Sequence, residues 1–163
     1  MAKQGNEHHY NVAVEWLGNR GTGTSDYRSY GREHVISAGE KPTIPGSSDP
    51  AFRGDPARWN PEDLLVASLS ACHKLWYLHF CSVNGIAVLA YQDNAIGTMA
   101  EDRGGSGRFT EVVLCPRVTV RASDDAALAE RLHHDAHAAC FIANSVNFRV
   151  RHEPSIERQA DAA

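Results

Sequence analysis

Four cysteines, Cys72, Cys81, Cys115 and Cys140, are the residues in this chain best able to do covalent chemistry. A thiolate is a nucleophile and a metal ligand, whereas a thiol buried among apolar side chains behaves as a small inert hydrophobe. Cys72 sits in Ser70-Ala71-Cys72-His73-Lys74. The adjacent imidazole and ammonium can place positive charge near its sulfur and favour the thiolate. The small residues Ala67, Ser68, Ser70 and Ala71 leave room for another element to approach. The local residues leave both a reactive and a packed thiol open for Cys72.

Cys81 follows nine residues later on what reads as the same helix, which puts the two thiols on opposite faces and about 13 Å apart. Disulfide geometry needs Cα atoms within about 7 Å, so these two cannot pair, and Cys81 is expected to pack. Cys115 precedes Pro116 in an alternating run where Val112, Leu114, Val118 and Val120 share one face. Proline there predicts a strand edge or a bulge, and no neighbour gives Cys115 a chemical role. Cys140 follows His133 and His137 at i, i+4, i+7 spacing, which aligns all three on one helical face. Such a face can supply ligands to zinc, or it can be a solvated face of aligned histidines. No second Cys or His pair at finger-like spacing supports a structural zinc site.

The elements that must position these groups are legible in outline. Tyr10, Val12, Val14 and Trp16 alternate with Asn11, Ala13 and Glu15 as in a half-buried strand. Gly18-Asn19-Arg20-Gly21 predicts a turn, and residues 27–36 predict one or two returning strands. Residues 39–60 carry Pro42, Pro45, Pro50 and Pro56 and are expected to form a long irregular loop, exposed or draped over a neighbour. A helix is expected from Asn60 as N-cap and Pro61 at its first position, with Glu62 and Asp63 at its positive end. It runs to Val83 without glycine or further proline, is apolar on nearly every side and is expected to be central, ending at Asn84-Gly85. Residues 87–100 and 110–121 predict an antiparallel hairpin around the turn Arg103-Gly104-Gly105-Ser106-Gly107. Ser123-Asp124-Asp125 opens a second helix over 126–140, residues 147–152 form a last short strand, and the polar tail from Pro154 is expected to fray. This order describes an α+β protein with segregated layers, a single domain over 1–163 with its core in about 10–152.

Composition narrows the class further. The chain has 163 residues, 42% of them hydrophobic, enough for one substantial core. Its net charge of −4 gives no reason to expect nucleic acid or an anionic membrane as a partner. No run approaches the roughly 20 apolar residues of a membrane span, and the first residues lack an apolar signal core. The expected location is the cytoplasm, where cysteines are more often catalytic, metal-binding or buried than structural disulfides.

The stretch Asn60-Pro61-Glu62-Asp63-Leu64-Leu65-Val66-Ala67-Ser68-Leu69-Ser70-Ala71-Cys72, followed by His137-Ala138-Ala139-Cys140, resembles the OsmC/Ohr proteins, the osmotically inducible and organic hydroperoxide resistance proteins. The resemblance extends to the order of elements over about residues 10–152. It implies an OsmC-like fold, an intertwined homodimer with two sites at the subunit interface, and a thiol peroxidase that needs no cofactor. By this resemblance Cys72 attacks the hydroperoxide and becomes a sulfenic acid, and Cys140 resolves it to a disulfide that a lipoyl-type dithiol reduces. Glu62 and an arginine would hold the thiolate and orient the peroxide. Arg53 is preferred over Arg58, which stands next to Trp59 at the helix start.

Two positions depart from the family pattern. Phe141 stands where proline often follows the resolving cysteine, and His73-Lys74 stand where apolar or small residues are usual. A cationic His73-Lys74 pair would either favour the Cys72 thiolate further or mark a subgroup with another substrate. Phe52, Trp59, Leu75, Trp76 and Tyr77 are candidates to line a pocket for the organic part of the substrate, with core packing as the alternative for each. On one straight helix Glu62 and Cys72 are about 15 Å apart, so either the helix starts later or a partner chain completes the site. A metal-binding module built on His133, His137 and Cys140, and an inert dimer keeping the fold without the chemistry, are the competing readings.

Overall fold

The computed structural model describes residues 6–160, which fall into two units, one ending at Leu64 and the other beginning at Leu65. In the first, β1 (Ala13–Trp16), β2 (His34–Ser37) and β3 (Ile44–Gly46) form an antiparallel sheet in that order. Its β1 side chains stay exposed, with Val14 at 65%, so the half-burial expected of this alternating run is not achieved within the chain. The connection from β1 to β2 is ordered by the Arg32 guanidinium, stacked over Tyr27 and Tyr30 at 4.4 and 4.1 Å from their ring centroids. The proline-rich segment is not wholly irregular. It contributes β3, whose Gly46 also bridges to Trp59, and a short 3₁₀ turn over Pro50–Phe52 capped by the Asp49 carboxylate.

The helix α1 (Pro61–Val83) begins where its signals place it, with the Asn60 side-chain oxygen accepting the Asp63 N–H at 2.7 Å. It buries one stripe, Leu69, His73, Tyr77 and Cys81, at four-residue spacing. Leu75 and Val83 remain exposed, so within this chain the helix is covered on one face only.

The second unit continues with β4 (Val88–Asp93), β5 (Ile96–Glu101), β6 (Gly107–Leu114), β7 (Pro116–Arg121), α2 (Ala126–Ala139), β8 (Arg149–His152) and β9 (Ser155–Gln159). The two long strands expected over 87–121 are therefore four. β5 and β6 form the expected hairpin, while β4 pairs antiparallel with β7 in a separate sheet. β8 joins β6 and β9 joins β7, both parallel, giving sheets β5-β6-β8 and β4-β7-β9. The tail expected to fray is thus ordered through β9, whose register sets Ile156 beside Val118.

Three chain segments, β4–β5, β6–β7 and β8–β9, each change sheet at a break between their two strands. Pro116 has no N–H to continue the ladder, and the Cys115 N–H is taken instead by Asp93 Oδ1 at 2.7 Å. The other oxygen of Asp93 accepts the Ser70 hydroxyl of α1 at 2.5 Å. Pro154 marks the third break, between β8 and β9. The apolar face predicted for 112–120 is buried, but it is divided: Val112 and Leu114 pack with Leu69, Val118 and Val120 with Tyr77, Cys81 and α2.

His73 and His133 are wholly buried, and their rings hydrogen-bond at 3.0 Å from Nε2 to Nδ1. The Tyr77 ring stacks on His133 at 3.7 Å, and His152 lies 5.6 Å from His73. Burial, with the neighbouring histidines adding to it, pushes His73 down to about 4 and His133 to about 3. Both are therefore neutral at physiological pH. Among the described residues no helix is long and apolar enough to cross a membrane.

These features give two expectations. A histidine held neutral in the fold takes up a proton once unfolded, so stability is constant above the unfolded value near 6.5 and declines as pH falls from there toward 4. Thermal melts should show Tm lower by roughly 5–10 °C at pH 5 than at pH 7.5. Replacing His73 and His133 together by Leu should flatten that slope, and equal slopes in both proteins would refute the assignment. Asp93→Ala removes both oxygens from the break at Cys115 and should destabilise by about 2 kcal/mol in urea unfolding; Asp93→Asn, which keeps an acceptor, should lose less.

Candidate functional site

Cys72 lies one residue before the buried His73, about 100° round the helix, so its thiol faces away from the core stripe. The same face carries Leu75, Trp76 and His79. Together with Phe141 these residues enclose an open pocket of about 410 Å³, with the Cys72 thiol in its wall. Trp76 is held by a stacked Phe80 at 5.6 Å and by Phe141 edge-on at 5.5 Å.

The second thiol reaches this pocket through the end of α2. Cys140 is the C-terminal cap, with extended backbone at φ −67° and ψ 111°, and its N–H donates to the His137 carbonyl. This turn sends Phe141 outward, 67% exposed, while the Cys140 side chain stays 1% exposed. Its sulfur accepts the Ala143 N–H at 3.4 Å and lies beside the Cys72 thiol, close enough for the two to affect each other's ionisation. Burial, and then the Cys72 sulfur, push the Cys140 thiol up to about 11, against the opposing pull of the Ala143 and Ile142 N–H groups. Both cysteines are free thiols. The arrangement is one pocket-facing thiol beside a second that is shielded from solvent, a geometry suited to forming a disulfide after oxidation of the first.

Several sequence expectations meet different surroundings. His73 does not supply charge to Cys72, because it is buried and neutral. Tyr77 does not line the pocket; it is buried beneath His133, and burial followed by Cys81 raises its phenol above the usual range. His133, His137 and Cys140 do not converge on a metal. His133 turns to His73, His137 lies 5.4 Å from His152, and Cys140 turns to Cys72. No group of three or more Cys, His, Asp or Glu side chains among the described residues is arranged to hold a metal ion. Nor is this face solvated, since His133 and Cys140 are both buried. Cys81 is buried with its pKa raised by desolvation, as packing predicts. Cys115 is half-buried at the strand break, and desolvation, with Asp93 next, also raises its pKa.

Phe52, Arg53, Trp59 and Glu62 belong to the first unit. Arg53 ends the 3₁₀ turn with a left-handed backbone at φ 66°, and Phe52 is part of that turn. Arg58 pairs with Asp55 at 3.4 Å, and Trp59 lines a separate groove with Pro56, Ala57, Arg58 and Asp63. Glu62 occupies the first turn of α1, which is unbroken to Val83, so a late helix start does not bring it toward Cys72. Two lining residues, His79 and Phe141, are not among the pocket candidates that the sequence offers. His79 could have been found from its i+7 spacing to Cys72. Phe141 could not, because its direction depends on the turn at Cys140.

A family model described as OsmC-like protein matches residues 54–155. Among solved structures, an OsmC-like protein of unknown function from Vibrio cholerae is similar at TM-score 0.83 and 30% identity, over 91% of this chain and 100% of that one. An organic hydroperoxide resistance protein from Elizabethkingia anophelis, with thiocyanate bound, is similar in fold at TM-score 0.66 and 15% identity, covering 94% and 100%. A putative organic hydroperoxide resistance protein from Vibrio cholerae, with captopril in one of its active sites, gives TM-score 0.65 and 19% identity, covering 94% and 95%. No curated protein sequence matches. With the α+β architecture and a family model spanning most of the chain, this protein belongs to the OsmC-like family.

Proposed function

We propose that the protein is a cytoplasmic thiol peroxidase that reduces organic hydroperoxides. The observation that carries this reading is the proximity of a pocket-facing Cys72 and a buried Cys140. In the first step the Cys72 thiolate attacks the terminal oxygen of ROOH, the O–O bond breaks, and the alkoxide leaves and takes a proton as ROH. Cys72 is then a sulfenic acid. The Cys140 sulfur attacks it, an S–S bond forms, and the sulfenic oxygen departs as water with the Cys140 proton. A dithiol, of lipoyl type by family analogy, returns the pair to thiols and is itself oxidised to a disulfide.

The apolar walls Leu75, Trp76 and Phe141 suit the organic part of a hydroperoxide better than they suit hydrogen peroxide. The reaction also calls for a guanidinium to stabilise charge on the leaving oxygen and a carboxylate to orient it. Arg53 and Glu62 are proposed for these roles, acting from a second copy of the chain. In this reading a homodimer covers the apolar residues left exposed along α1 and β1, among them Val14, Leu75 and Val83. Phe52 and Trp59 would add to the substrate wall from the same partner.

Steady-state assays with cumene hydroperoxide and a lipoyl dithiol test the reading. Cys72→Ser should reduce peroxide consumption to background, while full turnover in that variant would sink it. Cys140→Ser should leave a sulfenic acid on Cys72 that dimedone traps, and peroxide-treated wild type should yield a Cys72–Cys140 link by mass spectrometry. The absence of both products would favour an inert dimer. Trp76→Ala should lower kcat/KM for the organic peroxide by about 10-fold and change hydrogen peroxide reduction far less.

A further inference from the structure

The His73–His133 bond is the one fully buried side-chain hydrogen bond among those of the described residues. His73 directly follows Cys72 on α1, and His133 stands seven residues before Cys140 on α2, two turns away on the same face. Their rings are nearly coplanar, 6° apart, with centroids 5.3 Å apart, as expected when one imidazole N–H donates to the other ring's nitrogen. The Tyr77 ring at 3.7 Å and 11° fixes the plane of His133. His152 of β8 flanks both rings, and His137 lies against His152.

The groups acting on these rings are other histidines. His152 and His137 act on His73, His73 and His152 act on His133, and His137 and His134 act on His152. Two phenols also lie at the cluster, Tyr77 against His133 and Tyr91 beside Tyr77, and Arg151 and Glu153 flank His152 in the chain. Burial, reinforced by the neighbouring histidines, keeps both rings neutral, so the bond joins two neutral imidazoles, one donating its N–H to the other. His73 Nδ1 and His133 Nε2 are left buried without partners.

An unpartnered buried nitrogen typically costs about 1–3 kcal/mol, whereas an apolar pair of the same shape would leave none. The bond is therefore a poor choice for stability alone. What it provides, and an apolar pair does not, is direction: a fixed separation and angle between the α1 turn bearing Cys72 and the helix that ends at Cys140.

We propose that His73 and His133 are positioning residues for the thiol pair, holding α1 against α2 so that Cys72 and Cys140 stay side by side. This rests on the reading of these two thiols as a redox couple. Holding the sulfurs together raises their effective concentration, which favours the disulfide at equilibrium and speeds its formation. By linkage, oxidising the thiols must perturb the histidine pair in return.

The test uses diamide, which takes two electrons and two protons from the dithiol, so it does not depend on peroxide reduction. His73→Leu/His133→Leu replaces the bond with an apolar pair. It should lower the equilibrium constant for the Cys72–Cys140 disulfide against dithiothreitol by about tenfold, equivalent to about 30 mV. Disulfide formation should slow by a similar factor. His133→Asn sets its side-chain oxygen where Nδ1 stands and should recover most of both losses. A double variant that melts near wild type but keeps the wild-type constant and rate would overturn the proposal. If the leucine variant does not fold, ¹⁵N NMR of the wild-type imidazoles decides. Ring shifts of His73 and His133 should differ between dithiol and disulfide forms, and unchanged shifts would overturn the proposal. A protein that passes these tests yet consumes no peroxide would retain the positioning role and lose the peroxidase reading.

Discussion

The rotational setting of α1 governs much of the second unit. Leu69, His73, Tyr77 and Cys81 recur every fourth residue and face inward, and that stripe fixes where every other side chain of the helix points. Cys72, Leu75, Trp76 and His79 are then carried to a neighbouring face, where they form one wall of the pocket. Rotating the helix by one residue, about 100°, to bury Cys72 would bring Ala71 to the pocket and leave it without a thiol. Cys81 belongs to the stripe and Cys72 does not, so the two thiols, already about 13 Å apart along the helix, also face different surroundings.

The β-structure supplies the surface against which that stripe is set. Three segments change sheet, and at Pro116 the break is stabilised by Asp93, which also holds Ser70 of α1. Leu69 packs with Val112 and Leu114 on one side of the break, and Tyr77 and Cys81 with Val118 and Val120 on the other. His73 occupies the stripe between them and meets His133 and His152. A polar residue at this position needs a partner, and His133 provides it from α2. The requirement to satisfy a buried imidazole thus links two helices that each carry a thiol.

The thiols differ in environment in a way that suits a division of labour. Cys72 opens onto apolar and aromatic side chains, whereas Cys140 is enclosed and its ionisation is opposed by burial. The backbone N–H groups of Ile142 and Ala143 work against that penalty and would stabilise negative charge on the sulfur as it develops. Phe141 leaves the helix end toward the pocket, so the residue after the second cysteine becomes part of the pocket wall.

The sequence by itself determined what depends on local chemistry. The start of α1 follows from Asn60-Pro61-Glu62, the β5–β6 hairpin from its glycine turn, and the opposed faces of Cys72 and Cys81 from helical periodicity. The motif leading to Cys72 was sufficient to indicate the family. Tertiary structure decided what depends on residues distant in the chain. The division of 87–121 between two sheets needed Asp93 to reach Cys115, and the ordering of 155–159 needed β7 as a partner. The histidines were the least legible. Their i, i+4, i+7 pattern is compatible with a metal face, a solvated face or a buried face, and periodicity carries no information about what lies opposite. Only the packing of α2 against α1 turns His133 to His73 and Cys140 to Cys72, because a side chain's partner is set by the surface it meets and not by its spacing along its own helix.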